Sequence, residues 1–216
     1  MTDPPLLYPP YVSTRRRAPL APAIAFPATT SELTGPLFGP EDVRPTDADL
    51  TRQHAGEPIG ERIVVAGRVV DERGRPAAGA LVEVWQANAA GRYRHEADRT
   101  RGALDPNFTG AGRALTDGDG RYRFVTIRPA PYPWGNHPKA WRPAHIHFSL
   151  FGASLRARLV TQMYFEGDPL LAHDPIFASV PDAAARAALV APLDLALAEE
   201  GSALGYRFDI VLRSDG

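Results

Sequence analysis

From residue 62 onward the sequence is a succession of short β-rich runs cut by turn clusters, and this rhythm restricts the chain to a sheet-built fold. Residues 62–70 and 81–86 are dominated by valine, isoleucine and tryptophan, with the turn Asp71-Glu-Arg-Gly-Arg-Pro76 between them. β-Branched and aromatic side chains pack well on a pleated surface, so such runs form strands. Further strands are expected over residues 121–127, 145–151, 159–165 and 206–212, punctuated by clusters such as Thr116-Asp-Gly-Asp-Gly120. That cluster faintly resembles a calcium loop, but the remaining ligand positions and the closing glutamate are missing, and a hairpin turn is the better account. Only the alanine-rich residues 182–191 are convincingly helical, with Asp182 able to cap the start. A second short helix over residues 194–200 is compatible with the pattern. The expected fold is mainly β: an antiparallel sandwich or barrel-like core with long loops and one or two short C-terminal helices.

The first 60 residues have a different texture. Prolines crowd them (Pro4, Pro5, Pro9, Pro10, Pro19, Pro22 and, further on, Pro27, Pro36, Pro40, Pro45, Pro58) and periodic apolar runs are few. Such a segment cannot build a core of its own and is expected as an extended N-terminal arm, with residues 61–216 forming the sandwich domain. Tyr8, Tyr11, Leu20, Ile24 and Phe26 favour an arm that wraps a partner subunit, since a solvated tail gains nothing from aromatic residues.

Composition excludes several classes of function. A formal net charge of −1 lacks the basic excess that nucleic-acid binding needs. No apolar stretch approaches the length of a membrane span, and the N-terminus has no charged-then-apolar signal pattern, so a cytoplasmic location is expected. The chain contains no cysteine. Disulfides and thiolate sites are therefore excluded, and any metal must sit on histidine, tyrosine or carboxylate. The Asn107-Phe-Thr109 sequon, without a secretory signal, is expected to be incidental.

Chemistry concentrates in residues 131–148. His145-Ile-His147 begins a strand, and side chains at i and i+2 share a face, so both imidazoles can reach one ion. Imidazole accepts iron, zinc, copper or nickel alike, and two histidines on a polar sheet face are an equally ordinary arrangement. Tyr132, between Pro131 and Pro133, has a fixed backbone that aims its ring. Tyr93 follows the turn Asn88-Ala-Ala-Gly91, but spacing alone does not select it from seven tyrosines. A phenol ionises near pH 10 and becomes a ligand only where a strong Lewis acid displaces its proton. Two tyrosines with two histidines would therefore suit ferric iron better than magnesium, calcium or hydrolytic zinc.

The motifs Val84-Trp-Gln-Ala-Asn88, Gly91-Arg-Tyr-Arg-His95, Leu104-Asp-Pro-Asn-Phe108, Pro131-Tyr-Pro-Trp134, Trp141-Arg-Pro-Ala-His-Ile-His-Phe148, Gln162-Met-Tyr-Phe-Glu-Gly-Asp-Pro169 and Tyr206-Arg-Phe-Asp-Ile-Val211 occur in one order over residues 8–213. Together they resemble the intradiol ring-cleavage dioxygenases, and among them the β subunits that act on protocatechuate. The N-terminal helical dimerisation domain of the catechol and hydroxyquinol members has no counterpart here. The resemblance implies Fe(III) as cofactor, held by Tyr93, Tyr132, His145 and His147 with solvent hydroxide, and Tyr132 as the ligand that leaves when substrate binds. It implies Arg142 beside the substrate ring, Gln162 nearby, Trp134 and Ile176 on the pocket wall, Tyr11 contacting the substrate carboxylate, and Trp85 close to an iron-binding tyrosine. It also implies a homologous α subunit completing the pocket in a high-order oligomer. The reaction implied is conversion of protocatechuate and dioxygen to 3-carboxy-cis,cis-muconate in the β-ketoadipate pathway.

Two rival readings stand beside this one. A zinc or Fe(II) site could use the two histidines with a carboxylate, and a sandwich that only binds ligands could have kept the fold without the metal. Taken singly, Arg142 as a salt-bridge residue, Gln162 as a strand hydrogen-bonder and Trp85 or Trp134 as core packing are ordinary too. Arg15-Arg-Arg17 reads as solvated charge, with steering of an anionic aromatic acid as the alternative.

Overall fold

The computed structural model describes residues 4–22, 24, 40–152 and 158–213; Phe26, Pro27 and Pro36 of the arm lie outside them. Two sheets face one another. In the first, β1 (Arg62–Val70) is central, with β4 (Arg121–Ile127) antiparallel along one edge. The short strands β10 (Leu204–Arg207) and β11 (Ile210–Val211) run parallel to β1 on its other edge. The second sheet has the order β3 (Ala111–Leu115), β2 (Leu81–Gln86), β7 (His145–Phe151), β8 (Arg158–Phe165), β9 (Val190–Ala191). Its long neighbours pair antiparallel, and β9 joins β8 in parallel. A two-stranded hairpin, β5 (Tyr132–Pro133) with β6 (Trp141–Arg142), lies apart from both sheets.

The core forms where the inward positions of the two sheets meet. Ile63, Val65 and Phe124 from the first sheet pack with Val84, Ile146 and Phe148 from the second. Phe148 is wholly buried, and its ring lies 5.9 Å from Tyr122 and 5.0 Å from Phe208 across the sandwich. Burying a side chain of this size contributes roughly 1.5–3 kcal/mol. The Pro-rich N-terminal stretch also supplies a core residue, the wholly buried Leu50.

Three local differences from the sequence pattern have physical causes. The helix expected over residues 182–191 is only α3 (Ala183–Ala187), although Asp182 caps it as expected by accepting the Ala185 N–H at 2.7 Å. Val190 and Ala191 leave the helix to pair with Tyr164 and Phe165, so sheet contacts override alanine propensity. The strand expected over residues 206–212 is divided, because the Phe208 N–H donates to Ala66 O and the Asp209 side chain accepts the Arg68 N–H. Gly67 permits this approach, since a Cβ there would stand 1.9 Å from Phe208 O. Finally, residues 116–120 form a turn organised by Asp117, but not a hairpin: β3 and β4 belong to opposite sheets.

In the arm, Thr14–Arg17 makes one helical turn, α1. The Thr14 hydroxyl accepts the Tyr8 N–H at 3.0 Å and lies 2.7 Å from Tyr11 O, folding the arm back on itself. A further short helix, α2 (Pro175–Ala178), follows β8. Over residues 194–200 the chain forms only a 3-10 turn, Leu195–Leu197. Among the described residues no helix is long and apolar enough to cross a membrane.

Candidate metal centre and substrate cleft

Strand alternation builds the floor of the site. Along β7, Ile146, Phe148 and Leu150 enter the core, which turns His145 and His147 to the outer face of the second sheet. Pairing register sets their neighbours: His147 lies between Trp85 of β2 and Gln162 of β8, and His145 is opposite Tyr164. Trp85 stacks on the His147 imidazole with centroids 4.7 Å apart and planes 3° from parallel. The His145 Nδ1 lies 2.7 Å from Pro143 O. A carbonyl can only accept, so Nδ1 carries the proton and the Nε2 lone pair is left available.

Loops bring the two phenols onto this floor. Tyr132 sits in β5, paired in register with Arg142 of β6. Tyr93 comes from the turn after β2, which Asn88 organises: its Oδ1 accepts the N–H groups of Ala90 and Arg92, and its Nδ2 donates to Ala103 O. Gly91 in this turn has φ +70°, and a Cβ there would lie 2.5 Å from Pro131 O and 3.2 Å from Tyr132 Cβ. Only glycine allows the Tyr93 turn to lie against the Tyr132 hairpin this closely. Asp98 then fixes the backbone by accepting the Tyr93 N–H at 2.7 Å.

The four side chains converge in pairs. Tyr93 Oη lies 3.2 Å from His147 Nε2, and Tyr132 Oη lies 3.4 Å from His145 Nε2. The two phenol rings meet edge to face at 5.5 Å, and the two imidazoles at 4.9 Å. Burial raises both phenols above their ordinary pKa, with each affected by the other. Burial and the nearby Arg142 charge lower His147 to about 4 and push His145 well below its ordinary value. At neutral pH the cluster is thus two uncharged imidazoles with free lone pairs and two protonated phenols. Among the described residues no group of three or more His, Cys, Asp or Glu could hold a metal, and the phenol oxygens of Tyr93 and Tyr132 stand beside the two imidazoles. Two imidazoles and two phenols, whose protons only a strong Lewis acid can displace, could hold a hard trivalent ion.

Behind the cluster lies a buried polar network. Arg142 is 4% exposed; its Nη2 donates to Gln162 Oε1 at 2.5 Å, and its Nε and Nη2 donate to Asp174 Oδ2 at 3.2 and 3.1 Å. Tyr164 Oη donates to Gln162 Oε1 at 2.9 Å and receives Arg142 Nη2 at 3.2 Å. Burial opposes the Arg142 charge, but Tyr164 and Asp174 outweigh it and hold the guanidinium above its ordinary pKa. Sequence reasoning missed both Tyr164 and Asp174. Tyr164 was within reach of strand alternation, two residues after Gln162; Asp174 carries only the signal of a helix cap before Pro175.

The cluster opens to a cleft of about 1030 Å³, walled by Trp85, Tyr93, Tyr132, Trp134 and His147, with Arg99 and Arg101 also on its lining. His145 is buried and absent from that wall, with the Tyr132 ring 5.6 Å from its own. The Trp134 ring lies 5.4 Å from the Arg142 guanidinium and 5.5 Å from the Tyr11 ring, and its buried Nε1 has no hydrogen-bond partner among the described residues. Asn136 ties the arm to this edge, accepting the Val12 N–H at 2.8 Å and donating to Pro10 O at 2.9 Å. The backbone N–H of Ile176 is held by Asp174 Oδ1 at 3.0 Å. The expected residues Tyr93, Tyr132, Arg142, His145, His147 and Gln162 therefore form one contiguous group, with Trp134 and Tyr11 extending it to the arm and Ile176 joined through Asp174. Arg17 lies over the Tyr11 ring at 4.7 Å.

Comparison with known proteins places the chain in a family. A family model described as Dioxygenase matches residues 33–214. The protocatechuate 3,4-dioxygenase beta chain of Burkholderia cepacia is 58% identical over 214 residues, covering 98% of this chain and 91% of that protein. Catechol 1,2-dioxygenase of Candida albicans is 32% identical over 71% of this chain, which spans only 52% of that longer protein. Among solved structures, 3-chlorocatechol 1,2-dioxygenase from Rhodococcus opacus superposes with a TM-score of 0.62 at 28% identity, covering 84% of this chain and 70% of that one. The dioxygenase domain of a carbohydrate-binding fusion from a Streptomyces species gives 0.54 at 27% identity, covering 84% and 96%.

Proposed function

This chain belongs to the intradiol ring-cleaving dioxygenases, and we propose that it works at a ferric centre held by Tyr93, Tyr132, His145 and His147. It is an oxidoreductase that opens protocatechuate, 3,4-dihydroxybenzoate, with dioxygen to give 3-carboxy-cis,cis-muconate, a step in aromatic catabolism through the β-ketoadipate pathway. The observation that carries the metal assignment is the pairing of each phenol oxygen with an imidazole Nε2, at 3.2 and 3.4 Å.

Fe(III), when bound, supplies the Lewis acidity that ionises the two phenols and the catechol hydroxyls. The residues then divide the remaining work. His145 and His147 are neutral and offer lone pairs without first losing a proton. Tyr132, on the cleft wall, is the group whose Oη would take up one catechol proton as substrate enters, with solvent hydroxide taking the other, so the site needs no separate side-chain base. Arg142, desolvated and fixed, stabilises negative charge developing on the ring; removing one such preorganised donor typically costs on the order of 100- to 1000-fold in rate. Gln162 and Tyr164 keep the guanidinium in place. Trp134 and Ile176 flank the ring. The buried Trp134 Nε1 and the Tyr11 hydroxyl are suited to receive the substrate carboxylate, since an unpaired buried donor costs roughly 1–3 kcal/mol until an acceptor meets it.

A homologous α subunit completes the pocket in a high-order oligomer. The beta-chain designation of the Burkholderia relative supports this, as do the open cleft and Trp141, 47% exposed at its edge. We propose that the enzyme operates in the cytoplasm; among the described residues no helix is long and apolar enough to cross a membrane.

Visible spectroscopy tests the centre. Iron-loaded protein is expected to be red-brown from tyrosinate-to-Fe(III) charge transfer, and anaerobic protocatechuate should change that spectrum. Colourless protein that binds iron stoichiometrically would refute phenolate ligation.

A further inference from the structure

We propose that Asp174 is a positioning residue for ring cleavage, locking the Arg142 guanidinium and the pocket wall at Ile176 into a single register. The inference rests on the role given above to Arg142. Asp174 is fully buried and Arg142 nearly so, and charges withdrawn this far from water persist only when paired and hydrogen-bonded. The two carboxylate oxygens have different tasks. Oδ2 accepts Nε and Nη2 of Arg142, while Oδ1 accepts the Ile176 N–H at the start of α2. Nη2 is further engaged by Gln162 and Tyr164. Nη1 alone makes no hydrogen bond among the described residues. A planar guanidinium held at two of its three nitrogens has its third direction set, with little freedom left to lose when charge develops nearby.

The same carboxylate ties that plane to the backbone of Ile176, so the charge-stabilising group and the wall that flanks the substrate ring shift together or not at all. Neutralising a buried arginine would require only one oxygen. The division of the two oxygens between Arg142 and Ile176 is what assigns Asp174 a geometric task. Tyr164 closes the arrangement from the sheet side: its ring packs edge to face on Phe177 of the same short helix, at 5.2 Å.

The test compares Asp174→Asn, Asp174→Glu and Arg142→Met in the iron-loaded enzyme with its partner subunit. Asparagine keeps the shape but has one acceptor oxygen for two tasks, so one contact has to fail. The expected result for D174N is a kcat per iron lower by on the order of 10- to 100-fold, with iron content, the visible spectrum and KM for protocatechuate close to wild type. D174E, with both acceptors restored, recovers part of kcat, and the R142M/D174N double variant is no slower than R142M alone. Unchanged kcat per iron in D174N, even with lowered thermal stability, would overturn the proposal and leave a purely structural ion pair. So would full additivity in the double variant. If R142M itself turns over normally per iron, the role of Arg142 fails first and takes that of Asp174 with it. R142K replaces R142M in the comparison if R142M does not accumulate.

Discussion

Tyr132 Oη lies 3.4 Å from His145 Nε2, while the other ring nitrogen of His145 is held by Pro143 O at 2.7 Å. The carbonyl fixes the tautomer, so the nitrogen facing the phenol is the unprotonated one. Tyr132 is only half-buried and lies on the cleft wall, outside the core between the sheets. Tyr132→Phe is therefore expected to alter the visible spectrum and lower kcat by about 100-fold while leaving the circular dichroism of the fold intact. An unchanged visible spectrum would remove Tyr132 from the ligand set.

The depressed imidazoles make the iron-free protein acid-sensitive in a defined window. His147 titrates near 6.5 in the unfolded chain and about 4 in the folded one, with burial the main cause. Between these values the unfolded state binds more protons, so stability is fully present above pH 6.5 and is lost as pH falls towards 4. His145, shifted in the same direction, adds to the loss. Urea denaturation of iron-free protein should show Cm falling across this range, and His147→Asn should flatten the dependence. A Cm independent of pH there would contradict the burial of the imidazoles.

Gly91→Ala tests whether the two tyrosine-bearing loops are held together by backbone proximity. A residue with a Cβ at φ +70° costs about 1–2 kcal/mol from conformation alone, and the added carbon would meet Pro131 O at 2.5 Å. The loops are expected to part, separating Tyr93 from Tyr132. Thermal denaturation should register the lost stability, and metal analysis should find less iron per chain. Retention of full iron content would mean that the turn can relax without moving Tyr93.

The floor of this site is legible in the sequence because strand alternation is a local rule. Ile146, Phe148 and Leu150 mark the inward face of β7, and His145 and His147 follow as outward by parity. Tyr93 has no such marker: its turn reaches the site only because Gly91 can lie against Pro131, a contact between segments distant in sequence. Strand β3 is hidden for a related reason. Ala111, Gly112 and Arg113 have little intrinsic β preference and become a strand because β2 offers an edge to pair with. Val190 and Ala191 were claimed by the helical pattern around them, yet the edge of β8 captures them. Asp174 precedes a proline and is recognisable as a helix cap, but a cap uses one oxygen; the second one, on Arg142, depends on the tertiary fold.

The arm supplies the last prediction. Asn136 makes two hydrogen bonds that tie residues 10–12 to the hairpin, beside the contact of the Tyr11 ring with Trp134. At roughly 0.5–1.5 kcal/mol for each net hydrogen bond, Asn136→Ala should release the arm without disturbing the sheets. If Tyr11 meets the substrate carboxylate, the KM for protocatechuate should rise about tenfold, the equivalent of ~1.4 kcal/mol. Catechol itself has no carboxylate, so its KM should be nearly unchanged. Tyr11→Phe should reproduce the same asymmetry with the arm still docked, because it removes the hydroxyl and keeps the ring contact with Trp134. Steady-state kinetics with both substrates on both variants decides the matter. An equal rise in KM for the two catechols would show that the arm shapes the cleft without reading the carboxylate.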